Sequence, residues 1–220
     1  MRVVVLASGR GSNLEALVAA AREQRLPIRI AGVLSDKAGA RALEVARSAG
    51  IPAIHVDPRA FGQRAEFDRA LFAEVAGLAP DLVVLAGFMR ILDPAAFEPW
   101  LGRIINIHPS LLPKYPGLHT HRRALEAGDR QHGASVHFVT AELDGGPVLG
   151  QACIDIGPDD TEQSLASRLL GREHSLLVAC IGLLASGRAS WTTTGVQLDG
   201  RPLRQPLRLG EDGQLVVQAD

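Results

Sequence analysis

Cysteine is nearly missing: Cys153 and Cys180 are the only two in 220 residues. That excludes a disulfide-stapled scaffold. Both sit among apolar neighbours and read as small buried hydrophobes, which fits a reducing cytosol. No excess of either charge is present, since 23 Lys and Arg face 24 Asp and Glu for a formal net charge of −1. Binding driven by phosphate neutralisation on a nucleic acid is therefore not expected. Long apolar runs are absent as well. The opening Val3-Val4-Val5-Leu6 is too short for a secretory segment, and nothing later would span a bilayer, so no membrane partner is expected and the cytoplasm is the expected compartment. Internal repeats, low-complexity tracts and linkers are lacking too. What remains is a chain with 46% hydrophobic and 21% charged residues, ordinary for one soluble globular domain.

The first half alternates short β-branched runs with longer helical patterns. Val3 to Leu6, Ile28 to Leu34, Ala53 to Val56, Leu82 to Leu85 and Ile104 to Ile107 read as buried strands. Over Asn13 to Gln24, Leu14, Leu17, Val18 and Ala21 recur at helical spacing. The pattern predicts an α/β fold, an open doubly wound and mostly parallel sheet with a mixed C-terminal part. Its ligands should collect at the carboxyl ends of the strands. After about residue 108, Pro109, Pro113, Pro116 and Gly117 break up a long irregular stretch. Ala134 to Val139 and Val148 to Ile156 then read as strands flanking a Leu143-Asp144-Gly145-Gly146 loop. A helix follows from about Thr161 to Ser186, with Leu165, Leu169, Leu176 and Leu183 on one face. Turn signals at Asp199-Gly200 and Asp212-Gly213 predict a small terminal β element.

The loop Ser8-Gly9-Arg10-Gly11-Ser12-Asn13 follows the first strand and opens the first helix. It lacks the third glycine of a dinucleotide fingerprint, where Leu14 stands, and the Gly-Lys-Ser/Thr of a P-loop. No acidic residue ends the second strand as a nicotinamide ribose would require; Asp36 belongs to a turn. Two readings stay open: a phosphate held by glycine-loop amides at a helix N-terminus, or an ordinary turn with Ser12 or Asn13 as the helix cap.

Asn106 and His108 lie two apart near the end of a central strand, so they share a face while Ile105 and Ile107 share the other. Unpaired, each polar group would cost roughly 1–3 kcal/mol there. A satisfied core histidine beside an amide is the plain reading; a place where α/β ligands bind is the other. The pair suits attack of an amine on a formyl carbon. The Asn106 amide would stabilise the oxyanion, worth on the order of 10²–10³ in rate. The imidazole would relay a proton, worth about 10²–10⁴. A carboxylate would hold the ring's tautomer; Asp144 and Glu142 are the candidates. No step needs a metal. The histidines at 119, 121, 132 and 137 come without a Cys-x-x-Cys or His-Glu-x-x-His pattern. Ser110 has no Gly-x-Ser-x-Gly elbow and reads as a loop cap.

Four motifs in order then resemble the phosphoribosylglycinamide formyltransferase family over about residues 2 to 200. They are Gly9-Arg10-Gly11-Ser12-Asn13-Leu14, the run Leu85 to Leu92, Asn106-Ile107-His108-Pro109-Ser110-Leu111-Leu112-Pro113, and Asp144-Gly145-Gly146-Pro147-Val148. The resemblance implies formyl transfer from 10-formyltetrahydrofolate, a co-substrate, to the amine of glycinamide ribonucleotide in purine synthesis, with no metal. It implies Asn106, His108 and Asp144 as the catalytic trio, and Gly11, Ser12, Asn13 and Glu173 as acceptor-binding. Arg64, Met89, Arg90, Ile91, Leu92 and the stretch Thr140, Ala141, Glu142, Leu143 and Asp144, together with Asn106, are implied as folate-binding. Leu170 stands where the family often has a longer polar side chain. A single domain over 1–220 is implied, with a phosphate-binding half to about 108, a folate-binding and catalytic half over about 109–190, and the terminal β element beyond. The expected state is a monomer or homodimer. Methionyl-tRNA formyltransferase and formyltetrahydrofolate deformylase share the Asn-x-His and Asp pattern; this chain lacks the length and basic charge for the nucleic-acid-binding domain of the first. A non-catalytic binder of phosphorylated metabolites would leave the trio idle.

Overall fold

The structure, a computed structural model, describes residues 1–192 and 195–218. The chain divides into two compact units, Met1–Asn106 and Ile107–Asp220.

In the first unit, β1 (Arg2–Leu6), β2 (Arg29–Ser35), β3 (Ala53–His55), β4 (Leu82–Leu85) and the start of β5 (Ile104–His108) form a parallel array in the order β5-β4-β1-β2-β3. Val3, Val4, Val5 and Leu6 are all fully buried. A strand covered on both faces reads as a continuous apolar run rather than an alternating one, which is why β1 was legible as it was. The order reverses between β1 and β4. With right-handed crossovers, α1 (Ser12–Arg22) and α2 (Arg41–Ser48) cover one face, and α3 (Arg64–Gly77), followed by the short α4 (Pro94–Phe97), covers the other. The contacts agree: α1 meets α2, α2 lies on β2 and β3, and α3 meets α4. α1 buries Leu14, Leu17 and Val18 as its spacing predicts, but with Ala20 and not Ala21. The carboxyl ends of β1 and β4 meet at this switch point, where ligands bind in such sheets.

The second unit is mixed. β6 (Gln131–Phe138) and β7 (Val148–Asp155) form an antiparallel hairpin. The stretch expected as a terminal β element forms two pieces. β8 (Ala189–Thr192), β9 (Gly195–Leu198) and β10 (Arg201–Pro202) make a small antiparallel sheet. β11 (Leu207–Leu209) pairs parallel with β7, and β12 (Leu215–Val216) pairs antiparallel with β11. Asp199 and Gly200 both have positive φ, as a tight β9–β10 hairpin turn requires. α5 (Thr120–Glu126) interrupts the loop after β5, and α6 (Glu162–Ala185) packs on β6 and β7. Thr161 caps α6 by accepting the Ser164 amide at 3.1 Å, while Ser164 Oγ accepts the Thr161 amide at 2.9 Å. The buried stripe of α6 is Leu165, Leu169, Leu176, Leu177, Cys180 and Ile181; Leu183, expected on it, is half-buried. Cys153, expected to be buried, is half-buried on β7, and both cysteines are free thiols.

Candidate active site

In the first unit the loop after β1 is built around two residues. Ser8 is buried; its hydroxyl donates to Asp36 Oδ1 at 2.6 Å and accepts the Met89 amide at 2.9 Å, while its own amide donates to the Gly87 carbonyl at 3.0 Å. Ser8 thus joins the loops after β1 and β4 across the switch point. Asp36, expected in a turn, is a buried brace for this junction. Gly11 is the helix cap, at φ 79°, and a Cβ there would lie 2.8 Å from Ala42 Cα. Neither Ser12 nor Asn13 caps α1, contrary to one of the two readings: Ser12 is already the first helical residue. No side chain caps the amides at the start of α1, and α1 is long enough to give them a favourable dipole. Asn13 is buried beside them, its Oδ1 without a hydrogen-bond partner among the described residues.

Beyond β4, Met89 and Ile91 are 64% and 58% exposed while Leu92 is buried. Two large apolar side chains held out to solvent in a run of four suit an apolar ligand. Arg90 lies over the Phe67 ring, 4.8 Å from its centroid. Arg64 starts α3 and keeps about half of its side chain exposed. Asn106 is half-buried and lies opposite Leu85 in the β4–β5 register.

In the second unit His108, buried at the end of β5, has its Nε2 2.9 Å from the Tyr115 carbonyl and its Nδ1 3.5 Å from Asp144 Oδ2. A carbonyl can only accept, so Nε2 carries hydrogen and Nδ1 is the nitrogen turned to the carboxylate. Burial pushes the His108 imidazole below its ordinary value; the Tyr115 carbonyl and Asp144 pull the other way without cancelling it. Asp144 is at φ 51° in the loop between β6 and β7. Its Oδ2 accepts the Gly117 amide at 2.8 Å, and its Oδ1 is 3.6 Å from His137 Nε2. Burial alone would push this carboxyl up; the His137 and Gly117 contacts and the two imidazoles outweigh it, and the net shift is downward. Gly146 is required next to it, because a Cβ there would lie 1.8 Å from the Phe138 carbonyl. Glu142, the rival carboxylate, is exposed at the loop tip.

Two groups that sequence reasoning did not assign contribute to this arrangement. His137 donates through Nδ1 to the Phe138 carbonyl at 3.0 Å and turns Nε2 to Asp144. Its signal was present: Ser135 and His137 are polar at alternate positions of the otherwise apolar run Ala134–Val139. The Tyr115 carbonyl had no side-chain signal. Its loop is anchored by Ser135, whose Oγ accepts the Leu112 amide at 3.0 Å and donates to the Ser110 carbonyl at 2.7 Å. Ser110 Oγ donates to the Lys114 carbonyl at 2.6 Å, a loop cap as expected. His119 precedes α5 in a left-handed conformation, and His121 Nδ1 bonds His132 Nε2 at 2.9 Å. Ala141, Glu142 and Leu143 are exposed, and Thr140, Glu173 and Leu170 half-buried. Leu118 and Leu143 are 68% and 53% exposed, a second pair of outward apolar side chains.

The profile of the family described as formyl transferase matches residues 1–181. The chain belongs to the formyl transferase family. It is 49% identical over 203 residues to phosphoribosylglycinamide formyltransferase of Escherichia coli K12, covering 92% of this chain and 96% of that one. The trifunctional purine biosynthetic protein adenosine-3 of Homo sapiens is 40% identical over 186 residues, 84% of this family member and 18% of that protein. Among solved structures, glycinamide ribonucleotide transformylase 1 from Symbiobacterium toebii superposes with a TM-score of 0.87 at 44% identity, covering 90% and 93% of the two chains. A formyltetrahydrofolate deformylase from Pseudomonas syringae pv. tomato superposes with a TM-score of 0.82 at 27% identity, covering 65% of that longer chain. The α/β fold expected from the sequence is the fold of this family.

Proposed function

We propose that the chain transfers the formyl group of 10-formyltetrahydrofolate to the amine of 5-phosphoribosylglycinamide, giving formylglycinamide ribonucleotide and tetrahydrofolate. The observation that carries this reading is the His108–Asp144 pair: a buried imidazole with one nitrogen tied to a backbone carbonyl and the other turned to a carboxylate. The amine nitrogen bonds to the formyl carbon, the carbonyl oxygen takes the electron pair, and the bond to N10 of the folate breaks as the carbonyl reforms. The proton lost by the amine ends on N10. The Asn106 amide group stabilises the oxyanion. His108 exchanges the proton through Nδ1, since Nε2–H is held by Tyr115, and Asp144 favours the protonated ring.

The acceptor phosphate is held by the amides of Gly11, Ser12 and Asn13, where an anion meets the start of α1, and Glu173 contacts the rest of the acceptor. The folate lies against Arg64, Met89, Arg90, Ile91 and Leu92, and the pterin against the backbone from Thr140 to Asp144. The cytoplasm is the proposed compartment.

The test is a donor-consumption assay with purified protein, 10-formyltetrahydrofolate and glycinamide ribonucleotide. Donor loss that requires the acceptor and yields its formylated form is expected. Donor loss at the same rate without acceptor would make the chain a deformylase, and no loss in either arm would make it a binding protein.

A further inference from the structure

Asp68 is a carboxylate with no exposed surface, in the middle of α3. A buried acid is rare unless it holds something. Its Oδ2 accepts the Asp93 amide at 2.8 Å, and the same oxygen lies 3.9 Å from Arg64 Nε. Arg90 is the second cation whose charge reaches it. Arg90 lies over the ring of Phe67, the residue next to Asp68, and its buried Nε has no hydrogen-bond partner among the described residues; nor has Asp68 Oδ1. Burial pushes the Asp68 carboxyl above its ordinary value, and the Asp93 charge adds to this; the Asp93 amide and the two guanidinium groups pull the other way without cancelling it. The Asp68 side chain is therefore tied to the backbone of Asp93, immediately after the segment Met89–Leu92, and the charges of Arg64 and Arg90 reach it.

We propose that Asp68 is a positioning residue for donor binding, a buried anion that fixes the Met89–Asp93 backbone and the two arginines in the geometry that receives the folate. This rests on the assignment of Arg64 and Met89–Leu92 to folate. Asp68 touches no substrate; it acts through the segment it holds. The exposed apolar side chains of Met89 and Ile91 stand on the backbone that this bond helps to hold. Ordering that backbone beforehand removes an entropy cost from binding.

Asp68→Asn is the test, because asparagine keeps the volume and can still accept the Asp93 amide while losing the charge. The expected result is a rise of about tenfold in KM for 10-formyltetrahydrofolate, the scale of the difference between a charged and a neutral hydrogen bond. KM for the acceptor should stay within about twofold, and the unfolding transition should remain cooperative. An unchanged donor KM overturns the proposal. So does a loss spread equally over kcat and both KM values with a fallen melting temperature, which would mark a merely structural acid. If Asp68→Asn does not fold, Asp68→Ser, which also removes the charge and keeps a short acceptor, is read by the same split. Ile91→Ser tests the folate assignment separately. A raised donor KM in Ile91→Ser with an unchanged one in Asp68→Asn sinks only the role of Asp68. Unchanged values in both sink the segment assignment and the positioning role with it.

Discussion

His108 carries one proton that it is not placed to give away. Nε2–H is bonded to the Tyr115 carbonyl at 2.9 Å, so in the proposed reaction acid–base work falls to Nδ1, the nitrogen facing Asp144. His108→Ala should lower turnover by about 10²-fold or more, the usual weight of a positioned proton relay. Asp144→Asn should lower it too, and it should also move the pH–rate profile. Asp144 pulls the His108 pKa upward against the larger downward effect of burial. Removing that charge lets the imidazole pKa fall further, so the limb assigned to His108 should shift to lower pH in Asp144→Asn. A limb that stays in place would remove the carboxylate from His108's titration. Asn106, His108 and Asp144 could be picked out from the sequence by residue type and motif order. Tyr115 could not, because its contribution is a backbone oxygen and every residue has one.

The connection between β6 and β7 shows how an element delivers a side chain. Asp144 is held at positive φ, and Gly146 lies so close to the Phe138 carbonyl that no Cβ fits. Gly146→Ala must therefore move the loop that carries the carboxylate, and turnover should fall by about tenfold or more from a misplacement of the order of 1 Å. Gly145→Ala meets only the exposed side chain of Glu142, which can turn away. Its turnover should stay within about twofold, as for ordinary surface changes. Equal losses in the two variants would mean that the loop tolerates no side chain anywhere and that the carbonyl contact is not special. The strands were readable to within a few residues because buried parallel strands are runs of Val, Ile and Leu. The Ser135 anchor of the loop after β5 was not, since it depends on partners far along the chain; Leu112 and Ser135 are 23 positions apart.

Acid should weaken the whole molecule through its second unit. His132 is buried against His121, and burial first, then the neighbouring imidazole, lowers its pKa from 6.5 to about 4. His121 is shifted in the same direction, again chiefly by burial. The folded state therefore binds fewer protons than the unfolded chain between about pH 4 and 6.5. Stability should be full above pH 6.5 and fall as the pH drops through that window, by up to about 3 kcal/mol from His132. Urea unfolding measured from pH 7.5 to 4.5 should show this slope, and His132→Gln should flatten it. An equal slope in the variant would assign the acid sensitivity elsewhere.

Local chemistry was enough for the strands of the first half and the glycine-dependent turns, because periodicity and backbone sterics depend only on near neighbours. It also favoured Asn106 and His108, since polar groups two apart at a strand end must share a face. Residue type alone left Asp144 and Glu142 open until motif order favoured the first; the tertiary structure sets Asp144 3.5 Å from His108 and leaves Glu142 exposed, and it alone added His137 and made Asp36 and Asp68 buried anchors. Those outcomes depend on which atoms meet across the fold, such as Ser8 and Met89, 81 positions apart. A carboxylate two residues along the same loop looks identical in sequence until burial and an amide donor distinguish it.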